Sequence, residues 1–303
     1  MGPMSTGAID ELEATSTWAR RESDDETVPT GRDVVAVERW RFGGSRPVHL
    51  AIGFALLLPI ALAMLFPMLV GAVDPTANVG PPLSPPNLTH FFGTDDLGRD
   101  VFSGVVMGAR TSLLVGGGAA VISIAFGLIV GLAAGYLGGL IDNGLTRFTE
   151  LVLVLPRFFV ALLIVTLFGA SLLNVCLVLG LTGWPVLARI VRVETLSYRE
   201  REHVLAAMAI GCSHLRIVVR HILPFVRRPV IAVAAPIITA AIVTEAGLSY
   251  LGLSDPNWVS WGKLIQNGQA FVQHGWWLSF FPGLALVATC IGIALVLDAV
   301  QGD

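Results

Sequence analysis

The sequence predicts an all-α polytopic membrane protein with six transmembrane helices, and three observations carry that prediction. The first is composition: 54% of the 303 residues are hydrophobic and 14% are charged, with a mean hydropathy of +0.74, outside the balance of a soluble domain. The second is a set of six apolar windows, each long enough to cross hydrocarbon about 30 Å thick, which takes roughly 20 helical residues. They cover Val48–Val73, Ser112–Leu137, Leu151–Leu167, Leu172–Ala188, Val230–Ala246 and Trp276–Val300. The third is pattern: alternating ten-residue segments are missing, so helices must satisfy the backbone in lipid.

Residues 1–47 are acidic in patches and lack periodic apolar positions, as in a disordered cytoplasmic tail. The first span, 48–73, follows without a small-residue cleavage pattern and reads as an uncleaved anchor. Cations set the orientation. Arg20, Arg21, Arg32, Arg39, Arg41 and Arg46 precede this span, and Arg189, Arg192, Arg199, Arg201, Arg216, Arg220, Arg227 and Arg228 flank or separate the fourth and fifth. Both segments are therefore expected in the cytoplasm, as are both termini. The connections 74–107 and 247–275 carry only Arg99 and Lys263 as cations and are expected outside.

The region 74–107 is Pro-rich and then reads "HFFGTDDLGRDVFSGVVMGAR" across its end, where Asp95, Asp96, Arg99 and Asp100 look like a self-paired loop leading into an interfacial helix. In the second span Gly127, Gly131 and Gly135 recur every four residues, a small face for close helix approach, with a hinge as the alternative. Arg157, Asn174 and Pro185 interrupt the third and fourth windows. Charges inside spans cost a few kcal/mol unless they meet a cavity or a partner, which makes Arg157 and Glu245 candidate pathway residues. Arg157 can contact an anionic substrate, snorkel or pair with another subunit; Glu245 can instead hold the fifth span to its outer loop. Trp258, Trp261, Trp276 and Trp277 suit interfacial anchoring, and Cys176, Cys212 and Cys290 show no metal or disulfide spacing.

The segment 197–224, between the fourth and fifth spans, is the most informative. Ser197-Tyr198-Arg199-Glu200 fits a capping box and predicts a helix start. Gly211 suits its left-handed end, and Ser213 a cap for a second helix toward Pro224. His203, Ala207 and Gly211 fall four apart with Ala206 and Ile210 beside them, a small-residue face with Arg199, Arg201 and Glu202 at its rim. Such a helix fits a groove in another protein; a solvated amphipathic loop is the plainer alternative.

This segment resembles the EAA loop of importer permeases in the ABC transporter superfamily: Leu205-Ala206-Ala207, then Gly211, then His221-Ile222-Leu223-Pro224 keep the spacing, with Leu205 where the family has Glu. The stretches His90–Gly116, Leu181–Glu202, "TEAGLSYLGL" and "SWGKLI" are similar to the C-type permease subunit of dipeptide, oligopeptide or nickel importers. The resemblance covers nearly everything from residue 48 onward. It implies the type I ABC importer permease fold, with a core over 108–303, in a bacterial inner membrane. It implies as partners a second homologous permease, two cytoplasmic ATPase subunits and an extracytoplasmic substrate-binding protein. The ATPase-docking helix would use Arg201, Glu202, His203, Leu205, Ala206, Ala207, Ile210, Gly211, Cys212, Ser213 and Pro224, and the binding protein would meet Asp95, Asp96, Arg99 and Asp100.

Other functions fit less well. A G-x-x-x-x-G-K-[ST] phosphate loop is missing, and Lys263 is the only lysine, so ATP and Mg are expected on partner subunits and no cofactor, metal or nucleic acid on this chain. An ion-coupled carrier would show inverted repeats and midplane carboxylates, and a membrane enzyme a convergent catalytic set. A non-transporting scaffold and a permease for nickel chelates or another small solute stay open.

Overall fold

Proline placement decides where the apolar segments run straight and where they break. The computed structural model describes residues 46–67 and 74–301, so the tail 1–45 lies outside the described residues. Helix α1 spans Arg46–Leu65. Helix α2, Val101–Leu137, starts well before the expected Ser112 because Asp100 caps it, its carboxylate accepting from the Ser103 amide at 2.8 Å and the Ser103 hydroxyl at 2.7 Å. The region before α2 holds two isolated antiparallel bridges, Asn78 with Arg99 and Thr94 with Asp100.

The third window is not one straight span. Helices α3 (Gly139–Val154) and α4 (Arg157–Phe168) meet at an 81° bend. Pro156 holds the preceding Leu155 in extended conformation, φ −75 and ψ 123. The fourth window, by contrast, runs on: α5 (Leu172–Gly183) and α6 (Pro185–Arg199) together form a 28-residue stretch. Pro185 does not break it, because it stands at the first turn of α6, where no backbone donor is needed. Among the described residues five helical stretches are long and apolar enough to cross a membrane, or six if the bent pair counts as one.

After α6 come the short helices α7 (Glu202–Ala209) and α8 (His214–Ile217). A π turn over Val218–Ile222 joins α8 to α9 (Leu223–Tyr250), so that His214–Tyr250 is one 37-residue stretch. The π turn follows from Pro224, which lacks a donor and whose ring crowds the Arg220 carbonyl. The Leu223 amide bonds instead to the Val218 carbonyl. Helix α10 (Trp261–Gly268) and helix α11 (Trp277–Val300) complete the chain.

Helix α2 is the central post, packed along α6, α5 and α9, while α1 lies against α11. The glycine face of α2 serves packing within the subunit. A Cβ built at Gly131 would stand 2.6 Å from both the Ala188 carbonyl and Val191 Cβ, so only glycine lets α2 and α6 approach this closely. One apolar core joins Tyr136, Leu187, Val191, Ile217, Ile222 and Val226 at the end of the bundle that carries residues 197–224, here the coupling end. A second core fills the space between α2, α5 and α9, and a third, around Trp261 and Trp277, lies at the far end.

Those two tryptophans are not interfacial anchors. Trp261 is completely buried and donates Nε1–H to the Val105 carbonyl at 2.9 Å, and Trp277 donates to the Thr94 carbonyl at 3.1 Å. Each ring fills core and its N–H finds a partner. Among the described tryptophans only Trp258 and Trp276 are exposed. The three cysteines are free and half-buried.

Candidate functional site

The coupling end is built on three helix termini. The expected capping box is not used: Ser197 lies inside α6, whose buried face continues through Val191 and Thr195, and the chain turns only at Glu200, with φ −86 and ψ 0. Helix α7 begins at Glu202 behind Arg201, which makes no side-chain cap. Glu202 in its first turn complements the partial positive charge of the helix N-terminus.

The other end of α7 is as expected. Gly211 has φ +78, its amide donates to the Met208 carbonyl at 3.0 Å, and the Cys212 amide donates to the Ala207 carbonyl at 3.1 Å. This pair of bonds is a Schellman closure, which needs the left-handed conformation at that one residue. Ser213 takes the N-cap position of α8, but its hydroxyl makes no cap bond.

The face that α7 presents differs from the one expected. Val204 is completely buried and Ala207 is 5% exposed, both inside the coupling-end core. Ala207 therefore makes internal contacts and does not open a path for another backbone. Outward lie Leu205 at 51% exposure and Ile210 at 80%, with Glu202, His203, Ala206 and Ala209 also exposed. The result is an apolar strip with a charged rim on a helix whose back is fixed.

Aromatic contacts fix that back. Tyr198 at the end of α6 stacks on Phe225 at the start of α9, with centroids 5.0 Å apart, and His203 of α7 lies 5.5 Å from the same Phe225 ring. The Arg201 guanidinium sits 5.1 Å from the Tyr198 centroid. At the end of α2, the Tyr136 hydroxyl and His214 Nδ1 are 2.8 Å apart, tying α2 to α8. Arg192 of α6 grips Asp142 of α3 through Nε to one oxygen and Nη2 to the other, the latter at 2.7 Å. The sequence named Tyr198, Arg201, His203 and Arg192 for other reasons, but not these pairings.

The two candidate pathway charges are both enclosed by their own chain. Arg157 donates from Nη2 to the Leu179 carbonyl at 2.8 Å, bracing the bend between α3 and α4 against α5. Its Nε is buried without a partner. Glu245 is 3% exposed and accepts from the Ser249 hydroxyl at 2.7 Å, with the Ser112 and Ser260 hydroxyls directed toward it. Ser260 opens α10, so this carboxylate stands between the far end of α9 and the start of α10.

At the far end, Asp95, Arg99 and Asp100 line a cleft with Trp258 and Lys263. The acidic loop organises its own backbone and makes no ion pair with Arg99. Asp95 accepts from the Leu97 and Arg99 amides at 2.9 and 2.8 Å. Asp100, buried as the α2 cap, has its carboxylate engaged by the chain itself and offers little surface to a partner. Asp95 and Asp96 remain half-exposed. Lys263 donates to the Pro256 and Trp258 carbonyls at 3.0 and 3.3 Å, and burial pushes its ammonium below the usual lysine range while Asp255 pulls the other way.

A helical bundle of this length and apolarity, with a short braced helix between two spans, defines a multi-pass membrane protein. Residues 127–302 match the family described as "Binding-protein-dependent transport system inner membrane component". The chain is 34% identical to a dipeptide transport system permease protein of Alkalihalophilus pseudofirmus over 90% of its own length and 91% of the relative's. It is 36% identical to a dipeptide transport system permease protein of Bacillus subtilis (87% and 83% covered) and 32% identical to an oligopeptide transport system permease protein of the same organism (82% and 83% covered). The chain belongs to the binding-protein-dependent transport system inner membrane component family.

Proposed function

We propose that the chain is the permease subunit of an ATP-driven importer of short peptides, forming half of the translocation pathway beside a second, homologous permease. The single observation that supports it most is α7. It is an eight-residue helix braced from behind by Val204, Ala207 and the Tyr198–Phe225 stack, with Leu205 and Ile210 exposed toward whatever lies beyond the bundle. In this reading the coupling end faces the cytoplasm, consistent with the excess of arginine there. The strip docks in a groove of one of two ATPase subunits, which supply ATP and Mg; the chain itself is not catalytic. Peptide is the substrate class in the names of the relatives, and a separate binding protein delivers it to the far end near Asp95, Asp96 and Arg99.

When the two ATPases close on each other, α7 moves with its groove and carries α6 and α9 along. The test uses Leu205→Asp with Ile210→Asp, two exposed positions whose change leaves the core intact. The tagged wild type should copurify with two ATPase chains and a second permease. The double variant should insert normally yet lose the ATPases and at least tenfold of binding-protein-stimulated ATP hydrolysis. An isolated homo-oligomer, or full stimulation in the variant, would refute the reading.

A further inference from the structure

Two cations line the cleft at the far end, and neither has a counter-charge. Arg99 is half-buried and its Nε is enclosed without a partner. Among the described residues its guanidinium enters no ion pair, and neither does the Lys263 ammonium. Lys263 lies close enough to Arg99 for the two charges to repel, while Asp255 attracts it from beyond ion-pair distance. The ammonium rests on the Pro256 and Trp258 carbonyls alone.

The carboxylates nearby are engaged elsewhere. Asp74 accepts from the Thr76 amide and hydroxyl at 2.8 and 2.7 Å, Asp95 from the Leu97 and Arg99 amides, Asp100 from Ser103, and Asp255 from the Leu172 and Asn257 amides. Each of these charges is shared with donors of its own loop. The Arg99 fork is not: a guanidinium offers five donors in a plane shaped for a carboxylate, and leaving them unused in a half-buried place is costly.

The size of the cleft narrows the occupant. It holds about 160 Å³, below the roughly 300–1,000 Å³ of pockets that enclose whole small molecules and far above the room one water takes. A single side chain fits. Much of the wall is apolar, with Val101, Val259, Leu264 and Leu278 in it, which suits a methylene stem behind a charged head.

We propose that this cleft receives an aspartate or glutamate side chain of the extracytoplasmic binding protein, its carboxylate held between Arg99 and Lys263. The choice of partner rests on the importer reading above, which puts the far end outside the cell. The carboxylate chemistry rests on the two unpaired cations.

The experiment uses the full chain with the subunits that copurify with it, in vesicles, and titrates purified binding protein while ATP hydrolysis is followed. Arg99→Glu should raise the half-stimulating concentration of binding protein about tenfold or more, and shift it more than the maximal rate. Lys263→Gln, whose ammonium already has two carbonyls, should raise it about threefold. Added potassium chloride should raise the wild-type value and leave that of Arg99→Glu nearly unchanged. In a scan of the binding protein, one Asp→Arg or Glu→Arg change should bring Arg99→Glu back to within a few-fold of wild type, a rescue that a merely structural role of Arg99 does not give. If Arg99→Glu fails to accumulate in the membrane, Arg99→Gln should show a shift of about tenfold, and the matching Asp→Asn or Glu→Gln change on the binding protein should add nothing further to it. A stimulated wild type whose Arg99 variants respond equally, or a scan without rescue or non-additivity, would overturn the cleft and leave the importer reading standing. A defect confined to binding protein loaded with peptides that have a free C-terminus would give the cleft to the substrate and overturn the docking. A wild type that binding protein does not stimulate would refute the importer reading and this docking together.

Discussion

Single residues decide how closely this bundle can close. Gly131 sits where α2 and α6 nearly touch, with the Ala188 carbonyl and Val191 inside the space a side chain would need. Gly131→Val should therefore overpack the interface by about 1–3 kcal/mol, seen as a lower Tm and weaker accumulation in the membrane. Gly211 poses a different demand: an added Cβ there would meet nothing within 4 Å, yet its φ is +78. Gly211→Ala should cost about 1–2 kcal/mol from backbone strain alone, and Gly211→Asn, a residue that tolerates this conformation, should recover much of it. The four-residue glycine spacing and the Gly211 turn were both legible in the sequence, because each expresses a local rule. The internal partners of Ala207 and Arg157 were not, since they depend on which distant helix arrives beside them.

At the level of elements, the joint between the coupling segment and α9 depends on one proline. Pro224 widens the turn over Val218–Ile222 into a π turn, which adds a residue to that turn and so sets the rotation of α8 relative to α9. Pro224→Ala restores a donor and lets the turn tighten to α, swinging the preceding residues by about 100° around the helix axis. Under the proposed docking of α7 on an ATPase, insertion should be normal while stimulated ATP hydrolysis falls several-fold; full stimulation would show that the π turn carries no such role. The six apolar windows match the long segments if the bent pair counts as one span, but those at Ser112, Leu151 and Val230 start more than ten residues late. They missed the bend at Leu155–Pro156 and the run of α6 to Arg199, because hydropathy reports residence in lipid and says nothing about direction. The capping-box reading at Ser197 failed for a related reason: burial along α6 outweighs a local cap.

Over the whole molecule, attachment is uneven. Helix α3 has a single buried residue, Thr149, and exposes Leu140, Leu151 and Val154, so the Asp142–Arg192 grip is its principal polar tether to α6. Asp142→Ala should cost about 1–3 kcal/mol by leaving a half-buried guanidinium without its partner. Faster proteolysis should begin between α3 and α4, and Asp142→Asn should restore part of the protection. The fold class could be read from composition and the apolar windows, whereas these tethers emerge only when the chain has closed. The unbroken passage from His214 to Tyr250 has a further outcome. At about 1.5 Å per residue it is roughly 55 Å long, so a tilt of roughly 10° about its midpoint would shift each tip by about 5 Å in opposite directions. A push on the arginine-rich extremity would then reappear, reversed, at the far end near Glu245.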